Sequence, residues 1–335
     1  MGNLQECVEF VSHLVYDVRR NKVVYNVEME YDMNQDFYQE LLNIISKEQI
    51  QIEEPMRNHT TFRVGGPAEF FVQAKTAEEV QKLVRLCKER EIPYYIVGNG
   101  SNLLVSDQGF RGVIIQIFKE MNQIQIEGEL VKAQAGALLS AIASKALEAG
   151  LAGFEFAAGI PGALGGACVM NAGAYGKEMK DVLREVTVLT PEGEVLAIPD
   201  EKLELGYRTS IIAKKGYIVL EAVIRLQKGK KEEIKARMDE LKEKRITKQP
   251  LEYPSAGSTF KRPQGYFAGK LIQDAGLQGF SVGGAQVSMK HCGFVINKDN
   301  ATAADVAELM RKVSEQVEEK FGVRLEPEVK RLGEF

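Results

Sequence analysis

The sequence predicts an α+β protein of three lobes, with breaks near residues 113–118 and 227–231. Three observations carry this. Between residues 68 and 98 a strand, a capped helix and a second strand follow one another as a βαβ unit. From about residue 113 the texture turns to short alternating or apolar runs with one helix among them. After residue 230 a charged helical stretch precedes short strands and a second capped helix.

The elements are expected in the following order. Residues 1–32 are mixed in character and read as an extension of unknown role, with the domain proper beginning near Met33. Phe37, Leu41, Leu42, Ile44 and Ile45 recur at helical spacing, so 34–47 reads as a helix. "AEFFVQA" (68–74) is a strand, and Thr76 with Glu79 makes a capping box before a helix carrying Val80, Leu83, Val84 and Cys87. "IPYYIVG" (92–98) is the second strand of the unit, and the loop after it is "GNGSN". "GVIIQI", "QIQIEG" and "ELVKAQAG" are strands of the middle region. A helix at 138–149 ends at Gly150, a left-handed C-terminal cap. "REVTVLT" and "EVLAI" flank Pro191–Gly193 as a hairpin, and "YIVLEAVIRL" closes the region. In the last lobe, residues 230–245 are a charged helix. A helix from Thr302 shows one apolar face of Val306, Leu309, Met310, Val313 and Val317.

The composition excludes several classes. The chain of 335 residues is 44% hydrophobic and 27% charged, as expected of a globular protein with a sizeable core. A net charge of −4 gives no electrostatic reason to bind nucleic acid. No run approaches the roughly eighteen apolar residues of a membrane span, and residues 1–32 lack the pattern of a signal peptide. Cys7, Cys87, Cys168 and Cys292 are scattered without CxxC spacing, so they read as free thiols in a reducing compartment. His13, His59 and His291 lie far apart and match no zinc motif. A cytoplasmic protein without a metal is the expectation.

Two glycine-rich segments are the candidates for chemistry. "GNGSN" (98–102) follows a strand, and "GIPGALGGACVMNAGAYG" (159–176) is the richer of the two. Missing side chains let a backbone approach a ligand closely, and converging N–H groups then hold anions such as a pyrophosphate. The alternative is that these glycines only mark tight turns. Leu103 stands where a dinucleotide fingerprint needs its third glycine, and neither loop carries a Walker lysine. A phosphate-bearing cofactor on another scaffold is the better reading. "GFSVG" (279–283) matches the nucleophile elbow of α/β-hydrolases, but its glycine-rich flanks suit neither the strand nor the helix that elbow requires.

Six segments occur in an order that identifies a resemblance: "NHTTFRVGGPAEF", "GNGSNLLVSDQGFRGVII", "GFEFAAGIPGALGGACVMNAGAYG", "LGYRTS", "YPSAGSTFKRP" and "LEPEV". Together they resemble the UDP-N-acetylenolpyruvoylglucosamine reductase family, over roughly residues 50–332. The resemblance implies a two-lobed FAD-binding fold of the vanillyl-alcohol-oxidase type plus a C-terminal α+β substrate-binding domain. In these terms 33–115 is the first FAD-binding lobe, joined by 326–335. Residues 116–228 are then the second lobe and 229–325 the substrate domain.

The resemblance also implies site residues. FAD would lie on Gly98, Asn99, Gly100, Ser101 and Asn102. A second set is Ala158, Gly159, Ile160, Pro161, Gly162, Gly165, Gly166, Asn171, Ala172 and Gly173, with Arg63 and Gly65 nearby. Ser258, the second serine of "SAGS", matches the family's general acid. Arg208 of "GYRTS" and Glu328 of "LEPEV", rather than Glu326, match its catalytic arginine and glutamate. Lys248 of "TKQP" and His291 of "MKHCGF" match substrate contacts, while a lone histidine at a strand end is as often only structural. The role of Arg262 stays open. Asn102 stands where relatives with covalent flavin carry histidine, so non-covalent FAD is implied. Only about thirty residues separate "VIRLQ" from "PSAGS", which matches the shorter subtype without a tyrosine lid.

The implied reaction passes hydride from NADPH through the flavin N5 to C3 of the enolpyruvyl group of UDP-N-acetylglucosamine enolpyruvate, giving UDP-N-acetylmuramate. Negative charge then builds at C2 and its carboxylate. A fixed guanidinium stabilises it, a protonated or strongly hydrogen-bonded glutamate polarises it, and a hydroxyl supplies the C2 proton. A monomer is expected. Another flavoenzyme of the same fold, or a nucleotide-binding module without activity, would keep the loops and lose the Ser258, Arg208 and Glu328 set.

Overall fold

Four strands between residues 50 and 116 pair into the first sheet, and their order places the first glycine loop at its edge. In the computed structural model, which describes residues 14–17, 22–25 and 27–335, Ile50–Pro55 runs antiparallel to Pro67–Gln73. Phe110–Gln116 then lies parallel to Pro67–Gln73, and Tyr94–Val97 parallel to Phe110–Gln116. Helix Ala77–Glu89 makes the crossover between Pro67–Gln73 and Tyr94–Val97. It starts where expected because Thr76 Oγ1 accepts from Glu79 N (3.1 Å), and it buries Val80, Leu83, Val84 and Cys87. The chain leaves Val97 directly into Gly98–Asn102 and returns as Leu103–Val105. That short strand receives the C-terminal strand Lys330–Leu332 in parallel. Met56, Phe71, Val97, Leu103, Val105, Ile114 and Leu332 close one apolar core.

The middle region is one antiparallel sheet of five strands. Its order is Val195–Pro199, Leu183–Leu189, Ile218–Arg225, Leu130–Gln134 and Ile124–Glu127. The hairpin forms as expected, with Leu189 opposite Val195 and Gly193 at φ +90°. Helix Leu139–Glu148 stops at Gly150, whose φ of +67° is the left-handed cap. Three helices were not legible: Leu164–Met170, Ile211–Lys215 and Ala268–Asp274. Leu164–Met170, inside the second glycine segment, is helical and packs on the sheet strand Ile218–Arg225. Gly165 permits this, since a Cβ there would lie 3.1 Å from the Ala135 Cβ.

The last region carries helix Lys231–Lys248, helix Ala268–Asp274, a three-stranded sheet and helix Ala303–Phe321. Thr302 and Asp305 form a capping box, and Asp107 of the first region caps the same helix by accepting from Ala303 N and Ala304 N (2.8 and 2.9 Å). The predicted face of Val306, Leu309, Met310, Val313 and Val317 is buried. "GFSVG" is no elbow: Ser281 starts a two-residue antiparallel strand, and its hydroxyl donates to Gly279 O.

Residues 48–335 form one compact unit, and the chain up to Lys47 forms another. In the latter, Leu14–Asp17 pairs antiparallel with Lys22–Tyr25, and a helix occupies Val27–Leu42. This helix begins seven residues before the expected 34, because 27–33 holds no glycine or proline to stop it. It runs through the boundary expected at 32/33. Phe37, Leu41 and Ile45 are buried. Much of the expected extension, Cys7 and His13 included, lies outside the described residues. No described helix is long and apolar enough to cross a membrane.

Candidate active site

Arg208 sits in a tight turn whose ends, Gly206 and Thr209, exchange backbone hydrogen bonds (3.1 and 3.3 Å). Its φ of +55° is a left-handed conformation that a non-glycine residue adopts at a cost of order 1 kcal/mol or more. The turn is held from outside, because Asn171 Nδ2 donates to Gly206 O (3.0 Å). The guanidinium is thereby aimed at Glu328: Nε donates to Oε1 at 2.7 Å, with the side chains 19% and 9% exposed.

Glu328 is placed by its backbone. Its N–H donates to Thr259 O (2.8 Å) and its carbonyl accepts from Asn102 Nδ2 (3.2 Å), so it is fastened to the serine turn and to the first glycine loop together. Burial pushes its carboxyl above the ordinary carboxylate range, with Arg208 opposing the shift. Glu326, two residues earlier, is 70% exposed and pairs with Lys261.

The serine turn alternates anchored and free residues. Ala256 and Thr259 are buried, and Thr259 Oγ1 accepts from Val295 N (2.9 Å). Ser255 is held by its backbone, with its carbonyl accepting from Thr61 Oγ1 (2.7 Å). Gly257 takes φ +75°, which turns the chain between the two anchors. Ser258 is left exposed, and it faces a cleft of ≈ 620 Å³ that Arg208 and Glu328 also line. That volume suits a medium-sized ligand.

The cleft rim is basic and aromatic: Arg262, Lys270, Lys290, His291, Tyr207 and Phe267 line it. Tyr207 and Phe267 were not singled out in the sequence. The Tyr207 hydroxyl accepts from Arg262 N (2.9 Å), and the Arg262 guanidinium lies 4.6 Å from the Phe267 ring centroid. Only the adjacency of Tyr207 to Arg208 was a signal. His291 is in the cleft wall, its Nδ1 accepting from Gly293 N (3.0 Å). Burial lowers its pKa, the backbone hydrogen bond opposes this, and the Lys248 charge lowers it further. Lys248 itself ends helix Lys231–Lys248, is exposed, and does not line the cleft.

The two glycine segments lie side by side. Asn99 Nδ2 donates to Pro161 O (2.6 Å), and a Cβ on Gly98 would stand 3.3 Å from the Ala163 Cβ. Gly100 has φ +60°, and a Cβ there would be 2.0 Å from His59 O, so only glycine fits. The N–H groups of Gly98 to Asn102 have no partner in the described chain, and neither do those of Gly159 and Gly162. Such convergent free donors are what a pyrophosphate requires, so the residues present fit FAD. Other members of the predicted set serve the fold. Asn171, 1% exposed, gives its amide to Glu178 and Gly206 and its oxygen to Lys180 N. Ala158, Ile160, Gly165 and Ala172 donate their N–H groups to nearby carbonyls. Gly166 and Gly173 flank them, and a Cβ on Gly173 would meet Lys177 O at 2.5 Å. Arg63 and Gly65 hold positive φ (+55° and +121°) in the turn that leads into strand Pro67–Gln73.

Residues 68–198 match the family model of an FAD binding domain, and 249–332 that of the C-terminal domain of UDP-N-acetylenolpyruvoylglucosamine reductase. The reductase of that name from Clostridioides difficile is 54% identical over 301 residues, covering 90% of this chain and 99% of the relative. The one from Alkaliphilus metalliredigens is 53% identical over 300 residues, with the same shares. The crystal structure of the Thermus caldophilus reductase superposes with a TM-score of 0.74 at 38% identity, covering 85% of this chain and all of that one. The expected architecture, a two-lobed α+β FAD-binding part followed by a C-terminal α+β domain, is borne out. On this identity over nearly the whole length of its relatives, the chain belongs to the flavin-dependent oxidoreductase family of UDP-N-acetylenolpyruvoylglucosamine reductases.

Proposed function

We propose that this protein reduces the enolpyruvyl group of UDP-N-acetylglucosamine enolpyruvate to UDP-N-acetylmuramate with NADPH, in peptidoglycan precursor synthesis. It acts as a cytoplasmic monomer with FAD held non-covalently by Gly98–Asn102 and the Ala158–Gly173 segment. The reading assigns residues 33–115 with 326–335 and residues 116–228 to the flavin, and 229–325 to the substrate. The observation that carries it is the pairing of Arg208 with Glu328 at 2.7 Å in the cleft that Ser258 faces, from segments far apart in sequence.

FAD held by Gly98–Asn102 and the Ala158–Gly173 segment would supply a two-electron carrier between NADPH and the enolpyruvyl C3. The chain supplies the rest. Arg208 uses one N–H on Glu328, which leaves further donors of its fork for the substrate carboxylate, where charge develops. Glu328, pushed toward its protonated form by burial, polarises the same oxygens. The Ser258 hydroxyl gives its proton to C2, and the neighbouring Thr259 hydroxyl does not compete for that role, since it is buried and accepts from Val295 N. Lys270, Lys290 and Arg262 offer positive charge to a diphosphate, with Lys248 and His291 as further contacts.

The test is a yellow protein that releases intact FAD on acid treatment and oxidises NADPH only when the enolpyruvyl sugar is added. Flavin that stays with the denatured chain refutes the non-covalent assignment. NADPH oxidation indifferent to the sugar refutes the substrate.

A further inference from the structure

Thr61 is bonded to both halves of the site at once. It lies in the turn before strand Pro67–Gln73, in the region assigned to the flavin. Its N–H donates to Gly100 O (3.2 Å), in the first glycine loop. Its hydroxyl donates to Ser255 O (2.7 Å), 194 residues further along the chain, at the start of the serine turn. One half-buried residue thus ties the segment read as the FAD site to the turn that presents Ser258.

The residues around this tie are held firmly. Phe62 is fully buried and shares one apolar core with Ala256 and Phe260, and its carbonyl accepts from Asn297 Nδ2 (3.1 Å). Asn297 donates its backbone N–H to Pro254 O (2.9 Å), just before Ser255. The start of the serine turn is therefore tied to Thr61 directly and to Phe62 through Asn297. The end of the turn is held otherwise: Thr259 N donates to Gly293 O, and Thr259 O accepts from Glu328 N (both 2.8 Å). Ser258 hangs between these two holds, next to Gly257 at φ +75°. Without the upstream hold, the freedom of a glycine backbone lets the turn pivot there. The Ser258 hydroxyl then loses its fixed place relative to Gly98–Asn102, while the downstream hold keeps the chain folded.

We propose that Thr61 is a positioning residue for the proton transfer, its hydroxyl setting the serine turn against the flavin-binding loop. The inference rests on the reading of Ser258 as the donor of the C2 proton. The contrasting possibility is a bond that only joins two regions of the fold. Asp107 is such a bond, since it joins the first region to the last by accepting from Ala303 N and Ala304 N rather than from the serine turn.

The experiment compares FAD-loaded full-length wild type with Thr61→Val, Thr61→Ser, Asp107→Ala, Ser258→Ala and the double variant of Thr61→Val with Ser258→Ala. Rapid-mixing absorbance follows flavin reduction by NADPH and reoxidation by the enolpyruvyl sugar. Sugar affinity, FAD content and melting temperature are read on the same samples. Thr61→Val keeps the side-chain shape and the N–H on Gly100 and removes only the hydroxyl donor. It is expected to slow reoxidation by ~10–10²-fold, because a misplacement of about 1 Å costs up to that much. Flavin reduction, FAD content and sugar affinity stay within threefold of wild type. Thr61→Ser, which keeps a hydroxyl, recovers most of the rate. The double variant is no slower than Ser258→Ala, since both lesions act through one proton. Asp107→Ala lowers the melting temperature and leaves reoxidation within threefold.

Reoxidation near the wild-type rate in Thr61→Val overturns the proposal. So does a Thr61→Val loss that adds in full to that of Ser258→Ala, since Thr61 then acts independently of the serine. A Thr61→Val protein that loses FAD or its fold, or an Asp107→Ala protein slowed as much, assigns the bond to stability and also overturns it. Ser258→Ala reoxidising at the wild-type rate refutes the proton-donor reading itself, an outcome distinct from these.

Discussion

Replacing Arg208 by methionine separates a catalytic cation from a structural ion pair. Methionine keeps much of the length and apolar stem and removes the fork. At an effective dielectric of about 20, a unit charge about 4 Å from developing negative charge contributes about 4 kcal/mol. Removing one oriented donor from a water-poor site costs ~10²–10³-fold in rate. Arg208→Met is therefore expected to lower kcat by ~10²–10³-fold in the half-reaction that reoxidises flavin with the enolpyruvyl sugar. Flavin reduction by NADPH should be unaffected. The variant also leaves Glu328, 9% exposed, without its cation. Its carboxyl then shifts further upward and takes a proton, which limits the loss of stability. Adding Glu328→Gln to Arg208→Met should recover stability without recovering rate. The assay is single-turnover absorbance of the flavin, with melting temperature and FAD content measured on the same samples. A kcat within threefold of wild type, at full FAD content, would show that the pair only holds the fold together.

Gly100→Ala should cost on the order of 3 kcal/mol or more and abolish FAD retention, since its Cβ would strike His59 O at 2.0 Å. Gly128→Ala, at a similar φ of +62° but with nothing within 4 Å, should cost only about 1 kcal/mol by thermal melting. Cys87 and Cys168, whose thiols burial pushes up to about 12, should resist thiol reagents at pH 8 until the protein is unfolded. Two titrating groups that line the cleft act oppositely on stability. Glu328, raised by burial, binds its proton more tightly folded than unfolded, so stability falls as pH rises from 4.5 through its folded pKa. His291, lowered by burial, binds its proton less tightly folded, so stability rises with pH from its folded pKa up to 6.5. Denaturant melts of Glu328→Gln and His291→Gln should each flatten the corresponding limb.

The periodic elements were legible because local chemistry specifies them. Thr76 and Thr302 cap their helices as the sequence says, and Gly150 ends its helix in the left-handed region. Helix Leu164–Met170 was hidden because its glycines look like loop residues, while their use is to let the helix approach Ala135. Helix Val27–Leu42 starts earlier than the apolar spacing indicates, because Val27, Met29, Tyr31 and Met33 alternate with acidic residues at a strand-like period. In the site, the motif order located Arg208, Ser258 and Glu328, but nothing local shows that Asn102 and Thr259 both fasten the Glu328 backbone. Tyr207 escapes notice for the same reason, since its contact to Arg262 joins segments 55 residues apart, whereas Phe267 lies close to Arg262 in sequence but in no motif. Asn171 lies in a ligand-like motif, yet its side chain is wholly taken up by Glu178, Lys180 and Gly206.

Whether Ser258 gives the C2 proton is decided by rapid-mixing absorbance of Ser258→Ala beside Ser255→Ala. Ser258 is exposed to the cleft, while Ser255, three residues earlier in the same turn, contributes its carbonyl to Thr61. Losing a positioned general acid costs ~10²–10⁴-fold. In Ser258→Ala, bleaching of the flavin by NADPH should keep its wild-type rate, while recovery of the yellow colour on adding the enolpyruvyl sugar slows by that factor. Ser255→Ala should be nearly silent in both phases. Recovery at the wild-type rate in Ser258→Ala, or a collapse confined to Ser255→Ala, would contradict the assignment.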